Sequence, residues 1–250
     1  IDVGNTNIVL GTIENGEIDN IVRIHTDPRL TGTEYALTLK QIAEFYGFDM
    51  KAMEGAIISS VVPPVFNSVQ TGVWKFTGKQ PMVVGPGLKT GLNIHVDVPS
   101  QVGSDRIVIA VAALAEYEAP LILMDLGTAT TIDVVEPENR YLGGIIFPGV
   151  KISLDALTSR ASQLPGISLD KPAKVIGKNT VDCMRSGMMY GTAAMIDGMV
   201  GRIETELGLP CTVVATGGRA GQIIPHCSHE MQLDDNLLLD GLIKIYQKNQ

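Results

Sequence analysis

Two short loops carry residue types suited to phosphate chemistry. The first, Asp2-Val3-Gly4-Asn5-Thr6-Asn7-Ile8-Val9, passes from an apolar start through a glycine and three small polar residues into a second apolar run. The second, Asp125-Leu126-Gly127-Thr128, ends the apolar stretch 121–124 and leads through Thr130 and Thr131 into another. A glycine-centred turn lets backbone N–H groups approach an anion with no Cβ in the way. Asn and Thr side chains add neutral donors. An aspartate is repelled by phosphate, so it acts through a cation or a water. Each loop taken singly also reads as an ordinary polar hairpin turn. The pair says more: Asp2 and Asp125 lie 123 positions apart, about half of 250 residues. A unit repeated at that spacing points to a duplicated domain whose two loops face one cleft. No GxxxxGK[ST] loop is present, and no GxGxxG.

A third constellation, Val102-Gly103-Ser104-Asp105-Arg106, precedes the apolar run IVIAVAALAEY. A carboxylate there can accept the proton of an attacking hydroxyl. Arg106 can fork onto a carboxylate or amide oxygen of an acceptor. The same residues also fit a plain helix start, with Asp105 as cap and Arg106 solvated. Asn179-Thr180 opens a further long helical pattern. Gly217-Gly218, at the end of an apolar strand, permits close approach of a flat group such as an adenine. Phosphoryl transfer asks a protein mainly for positioning and charge neutralisation, which such loops supply.

The elements that must hold these loops follow from periodicity and punctuation. Strands are expected at 1–3, 8–13 and 18–25, with Asn15-Gly16 as a tight hairpin turn. A helix is expected over 31–46, stopped by Gly47. A strand at 56–62, ended by Pro63-Pro64, leads to a helix at about 65–77 and a short strand at 81–84. Residues 90–99 read as extended and polar. A helix from Ser104 or Asp105 runs to about Glu118. The second half repeats the plan: strands 121–134 and 141–147, a helix at 152–162, a loop at 164–178 and a long helix to about Leu207. Strands at 212–215 and 231–233 and a helix at 237–248 close the chain. The order of strands before helices excludes a plain Rossmann unit. The expected domains are 1–117 and 118–250.

Composition bounds the alternatives. Hydrophobic residues make up 45% of the chain, enough for sizeable cores, and mean hydropathy is +0.20. No apolar run reaches the roughly 18–20 residues that span a bilayer. A net charge of −8 argues against a nucleic-acid or anionic-membrane binder. Cys183, Cys211 and Cys227 show no CxxC spacing, which fits a reducing, cytoplasmic setting. His226-Cys227-Ser228-His229 reads as a polar loop, since four-ligand zinc sites need more ligands at better spacing. The chain opens inside a strand without Met, so preceding residues are expected.

Taken in order, DVGNTN (2–7), ISSVVPP (58–64), KTGLNI (89–94), VGSDRI (102–107), DLGTATT (125–131), GGIIFPG (143–149), IGKNTV (176–181) and ATGG (215–218) resemble the type III pantothenate kinases over the whole chain. That family lies within the acetate-and-sugar-kinase, heat-shock-chaperone and actin superfamily. The resemblance implies an α/β fold of two duplicated ribonuclease-H-like domains with an ATP cleft between them. It implies ATP-dependent phosphorylation of pantothenate, the first step of coenzyme A biosynthesis. ATP would be contacted by Asp2, Val3, Gly4, Asn5, Thr6, Asn7, Ile8, Val9 and Thr128. Asp105 would be the general base. Pantothenate would be held by Gly103, Ser104, Asp105, Arg106 and Thr180. Asp125 would bind a monovalent cation, K⁺ or NH₄⁺, beside Mg²⁺ on the nucleotide, which either Asp2 or Asp125 can organise through water. The family is dimeric, with Thr180 reaching the neighbouring subunit's site. Ser104 stands where the family usually has Ala, a change from which little consequence is expected. Val96 stands where it often has Tyr. A non-catalytic ATP-binding regulator on the same fold, such as a transcription accessory protein, is the alternative from another class; it has no need of Asp105.

Overall fold

The computed structural model describes residues 1–48 and 52–250. In chain order the elements are β1 (Asp2–Val3), β2 (Asn7–Glu14), β3 (Glu17–His25), α1 (Gly32–Tyr46), β4 (Ile57–Ser60), α2 (Pro63–Thr77), β5 (Met82–Val83), β6 (Asn93–Ile94) and α3 (Ser104–Glu116). There follow β7 (Leu121–Leu126), β8 (Ala129–Glu136), β9 (Arg140–Pro148), α4 (Val150–Arg160), α5 (Thr180–Ser186), α6 (Thr192–Leu207), β10 (Thr212–Thr216), α7 (Ala220–Ile223), β11 (Gln232–Leu233) and α8 (Leu237–Lys248).

The chain forms two compact units. The first comprises residues 1–92, 98–112 and 237–250, and the second 93–97 and 113–236. The division falls inside α3, and α8 returns to the first unit. The sheet of the first unit is ordered β3-β2-β1-β4-β5; that of the second is ordered β11-β10-β7-β8-β9-β6. Apart from the added β6, the second order repeats the first: an antiparallel three-stranded meander, then two parallel strands beside its first strand. The repeat of the two loops is therefore a repeat of topology.

Alternation along the strands builds the first unit in layers. Val3, Ile8, Leu10 and Ile58 pack with Tyr35, Val65, Val69 and Val73 of α1 and α2. Val9 and Ile57 pack on the opposite face with Val108, Leu239, Leu242 and Ile245 of α3 and α8. Helix α8 comes within backbone distance of α3, because a Cβ on Gly241 would overlap the Val108 carbonyl. Successive residues point to opposite faces, and Asp2 pairs in register with Val9 and with Ser59. Both polar residues accordingly face the layer formed by α3 and α8.

Several local expectations are met with small shifts. Thr31 caps α1 in a capping box with Glu34, and left-handed Gly47 ends it. Asn15 and Gly16 both have positive φ, as the tight hairpin needs. Pro63-Pro64 occupies the first turn of α2, where a missing N–H costs nothing, so the helix begins two residues earlier than the pattern suggests. The stretch 90–99 contributes β6, which adds to β9 in parallel. The long helix after Asn179 is interrupted by a π-turn, Gly187–Gly191. Its apolar excess is largely covered within its own unit: Met184, Met189 and Ile196 are buried, and Met188 and Met199 pack against the same core, leaving Met195 exposed. By sequence alone Met184, Met188, Met189, Tyr190, Met195, Ile196 and Met199 exceed the single stripe of an amphipathic helix and ask for cover by the other domain or another chain; in the structure only Met195 of them is exposed.

Candidate active site

In the first unit the loop after β1 is a tight turn. Gly4 N–H donates to the Asn7 carbonyl at 3.1 Å, and the Thr26 hydroxyl donates to the Gly4 carbonyl at 2.6 Å. Asn5 and Thr6 are exposed at its tip. Val3 and Ile8 have core side chains, and Val9 packs on the opposite face. Of residues 2–9, then, the backbone and the side chains of Asn5, Thr6 and Asn7 are the parts suited to meeting a nucleotide. This is a cradle of neutral donors, as a triphosphate requires.

Asp2 is buried at 8% exposure, and its Oδ1 has no hydrogen-bond partner among the described residues. A buried lone oxygen of this kind costs free energy unless something polar meets it. It fits the hydration shell of a cation carried by a phosphate chain. Burial, and next the charge of Asp105, push the Asp2 carboxyl up from 3.8 to about 6, while the charge of the Ile1 amino group and, less, Ser59 pull it down. Asp2 and Asp105 are thus an interacting carboxylate pair, brought together from β1 and α3 across about a hundred residues.

Helix α3 begins at Ser104, so Asp105 lies in its first turn rather than at the flanking cap position. Asp105 Oδ1 accepts from Arg106 N–H at 2.8 Å. A Cβ on Gly103 would sit 2.5 Å from that oxygen, which accounts for a glycine there. A carboxylate in a first helical turn is favoured by the helix dipole, and Asp105, only half-buried, stays accessible.

The Ser104 hydroxyl points back at β4, not outward. It lies 3.0 Å from Ser59 Oγ, accepts from Ser60 N–H at 3.2 Å and lies 3.1 Å from the Ser60 carbonyl. The expectation of little consequence at this position therefore misses three contacts. Ser59 itself was not singled out from sequence. The available signal was two adjacent serines in an otherwise apolar, buried-type strand, IISSVV.

In the second unit, β7 delivers Asp125 and the turn to β8 delivers Gly127 and Thr128. Thr128 is exposed and Asp125 half-buried. Gly217 follows β10 with φ +97°, and a Cβ there would overlap the Asp125 carboxylate and the Leu126 backbone. The close approach that this glycine makes room for is that of Asp125 and Leu126. Gly149, ahead of α4, lies equally tight against the carbonyls of Gly127 and Thr128, and its N–H donates to the latter at 3.2 Å. The second loop is thus clamped from two sides. Thr180 is the exposed first residue of α5, whose cap Asn179 accepts from Asp182 N–H at 2.9 Å. The preceding loop is tied to α5 by Arg185, which pairs with Asp170 at 2.6 Å, and by a Ser186 hydroxyl bond to the Val175 carbonyl. In the loop 226–229, Asp197 accepts from Ser228 N–H, His229 N–H and His229 Nδ1.

These loops, each at the end of the first strand of a duplicated unit, define the actin-like ATPase fold with paired ribonuclease-H-like domains. Solved structures agree on the fold. A Campylobacter jejuni protein described as a Baf family transcriptional activator aligns with TM-score 0.60 at 19% identity, over 99% of this chain and 96% of that one. A Porphyromonas gingivalis protein described as an N-acetylglucosamine kinase aligns with TM-score 0.55 at 11% identity, over 99% and 98%. The family follows from sequence. The model of the type III pantothenate kinases matches residues 1–202. A relative from Exiguobacterium sp. (strain ATCC BAA-1283 / AT1b), described as a type III pantothenate kinase, is 47% identical over 250 residues, covering 100% of this chain and 98% of its own. The chain belongs to the type III pantothenate kinase family.

Proposed function

We propose that this protein is a kinase that transfers the γ-phosphoryl group of ATP to the primary hydroxyl of pantothenate, giving 4′-phosphopantothenate at the entry to coenzyme A biosynthesis. The observation that carries the reading is the family match over residues 1–202, a stretch that contains the loops at 2–9, 103–106 and 125–128 and Thr180. Membership in a family of enzymes, together with a half-buried Asp105 beside a second carboxylate, favours catalysis over a binding-only regulator.

In this reading the backbone of Gly4 to Asn7, the side chains of Asn5 and Thr6, and Thr128 receive the triphosphate. Asp105 accepts the proton of the pantothenate hydroxyl as its oxygen attacks the γ-phosphorus. Arg106 pairs with the carboxylate or amide oxygen of pantothenate, and Gly103 to Arg106 together with Thr180 hold it. Asp2 or Asp125 would organise Mg²⁺ through water, and the ion would supply neutralisation of the phosphate charge. Asp125 is assigned a monovalent cation, K⁺ or NH₄⁺, for which a half-buried carboxylate under a glycine turn is a suitable donor. The active form is a homodimer in which Thr180 completes the partner's site. The expected setting is the cytoplasm; among the described residues no helix is long and apolar enough to cross a membrane.

The test is a coupled assay of ADP release with ATP and Mg²⁺, with and without pantothenate, and mass analysis of the product. Release that depends on pantothenate and yields its monophosphate is expected. ADP release indifferent to pantothenate overturns the reading.

A further inference from the structure

The first phosphate loop is shaped by a residue from the far end of the hairpin. Thr26 comes directly after His25, the last residue of β3, which pairs in register with Asn7. Its hydroxyl donates to the Gly4 carbonyl at 2.6 Å, and its N–H donates to the Thr6 carbonyl at 3.1 Å. The Asn7 carbonyl in turn accepts from Gly4 N–H at 3.1 Å. Three carbonyls of the loop are therefore taken up by bonds within the protein. In a planar trans peptide the C=O of one residue and the N–H of the next point in opposite directions. The two bonds from Thr26 accordingly aim the N–H groups of Asn5 and Asn7 away from Thr26. We propose that Thr26 is a positioning residue for ATP, which holds the Gly4 and Thr6 carbonyls off the phosphates and turns the N–H groups of Asn5 and Asn7 toward them. The proposal rests on the kinase reading above, which gives this loop to the triphosphate.

The sign of the effect follows from the peptide dipole. A carbonyl oxygen is its negative end, so a carbonyl turned into the cradle would repel the phosphate that an N–H attracts. A threonine hydroxyl has one proton to donate, and here the Gly4 carbonyl receives it. Thr26 is itself braced on both sides. Ahead of it stands the β2–β3 ladder. Behind it, Tyr35 of α1, at 2% exposure, donates its hydroxyl to the Asp27 carbonyl at 2.9 Å. The Asp27 carboxylate accepts from the Arg29 N–H and Nε, each at 2.9 Å, and from Arg29 Nη2 at 2.7 Å. Asn5 and Thr6, by contrast, are exposed at the loop tip. Thr26 thus ties the most exposed part of the cradle to a fixed part of the first unit, and it acts on the nucleotide only through the loop backbone.

The test removes the hydroxyl and keeps the N–H. Thr26→Val is nearly the same shape, and Thr26→Ala is a second hydroxyl-free variant with no added methyl group; Thr26→Ser puts the hydroxyl back. Each is compared with the wild type for the Kd of ATP with Mg²⁺ by titration calorimetry, for KM of ATP and of pantothenate, and for the unfolding midpoint. Both hydroxyl-free variants should bind ATP roughly three- to tenfold more weakly, the worth of about one hydrogen bond, with a matching rise in KM for ATP. KM for pantothenate should change about twofold at most. Thr26→Ser should recover most of the ATP affinity. A plain loss of stability would not separate the two substrates in this way. Wild-type ATP affinity in both hydroxyl-free variants, a Thr26→Ser protein as weak as Thr26→Val, or equal losses for ATP and pantothenate would each overturn the proposal. A wild type that binds ATP but fails to phosphorylate pantothenate would overturn the kinase reading and leave Thr26 to be judged by the ATP titration; a wild type that binds no ATP would overturn both.

Discussion

Replacing Asp2 by Asn should stabilise the protein at neutral pH while removing its activity. The buried carboxyl is held at about 6 in the folded protein, against 3.8 in an exposed chain. Between these values the native state keeps a proton that the unfolded state has released, so stability falls as pH rises from about 4 to about 6 and then levels. At about 1.4 kcal/mol per pH unit, the full penalty above pH 6 is about 3 kcal/mol. The substituted amide would lack that charge but would bring N–H donors into a site with one unpartnered position, at a cost of about 1 kcal/mol. A net gain of about 2 kcal/mol remains, or roughly 4–8 °C in the unfolding midpoint for a chain of this size. Calorimetric scans of wild type and Asp2→Asn from pH 4 to pH 8 measure it. The difference between the two should be small or reversed at pH 4, grow through pH 6 and stay constant above. Because the charge of Asp105 is the second cause of the shift, Asp105→Asn should flatten part of the same slope. A difference that is flat across this range, or an Asp2→Asn protein less stable than wild type at pH 7.5, would refute the argument that Asp2 is a strained, desolvated carboxylate.

Asp105→Asn should leave nucleotide binding nearly intact and lower kcat roughly 10²–10⁴-fold, as expected for loss of a general base; near wild-type turnover would return Asp105 to a plain first-turn residue. Rates in potassium and ammonium buffers should exceed those in sodium, and equal rates in all three would remove the monovalent site from Asp125. Mixing inactive Asp105→Asn with inactive Thr180→Ala should restore activity, because a mixed dimer contains one site free of both lesions; no recovery despite confirmed subunit exchange would place both residues in the service of one chain.

The sequence by itself determined the features that depend on neighbours in the chain. The capping box at Thr31 and Glu34, the left-handed stop at Gly47 and the Asn15-Gly16 hairpin are local physics, and each was readable from a few residues. The duplication was readable too, since a phosphate loop must spell out Asp, Gly and small polar residues each time it occurs. The start of α3 just ahead of Asp105 was legible from the onset of its apolar run. What only the tertiary structure decided involves partners far apart in sequence. Helix α8 returns to the first unit because Gly241 lets it lie against Val108, a contact between positions 133 apart. The methionines of the long helix read as surplus apolar surface in the sequence, yet the second unit's sheet and α7 cover most of them. Asp2 acquires its raised carboxyl only because the fold buries it and α3 brings the charge of Asp105 near, while strand pairing sets Ser59 beside it and α3 sets Ser104 against Ser59. No window of sequence contains that cluster. Desolvation and hydrogen bonding act through space, and it is the folding of β1, β4 and α3 against one another that turns four ordinary side chains into one connected site.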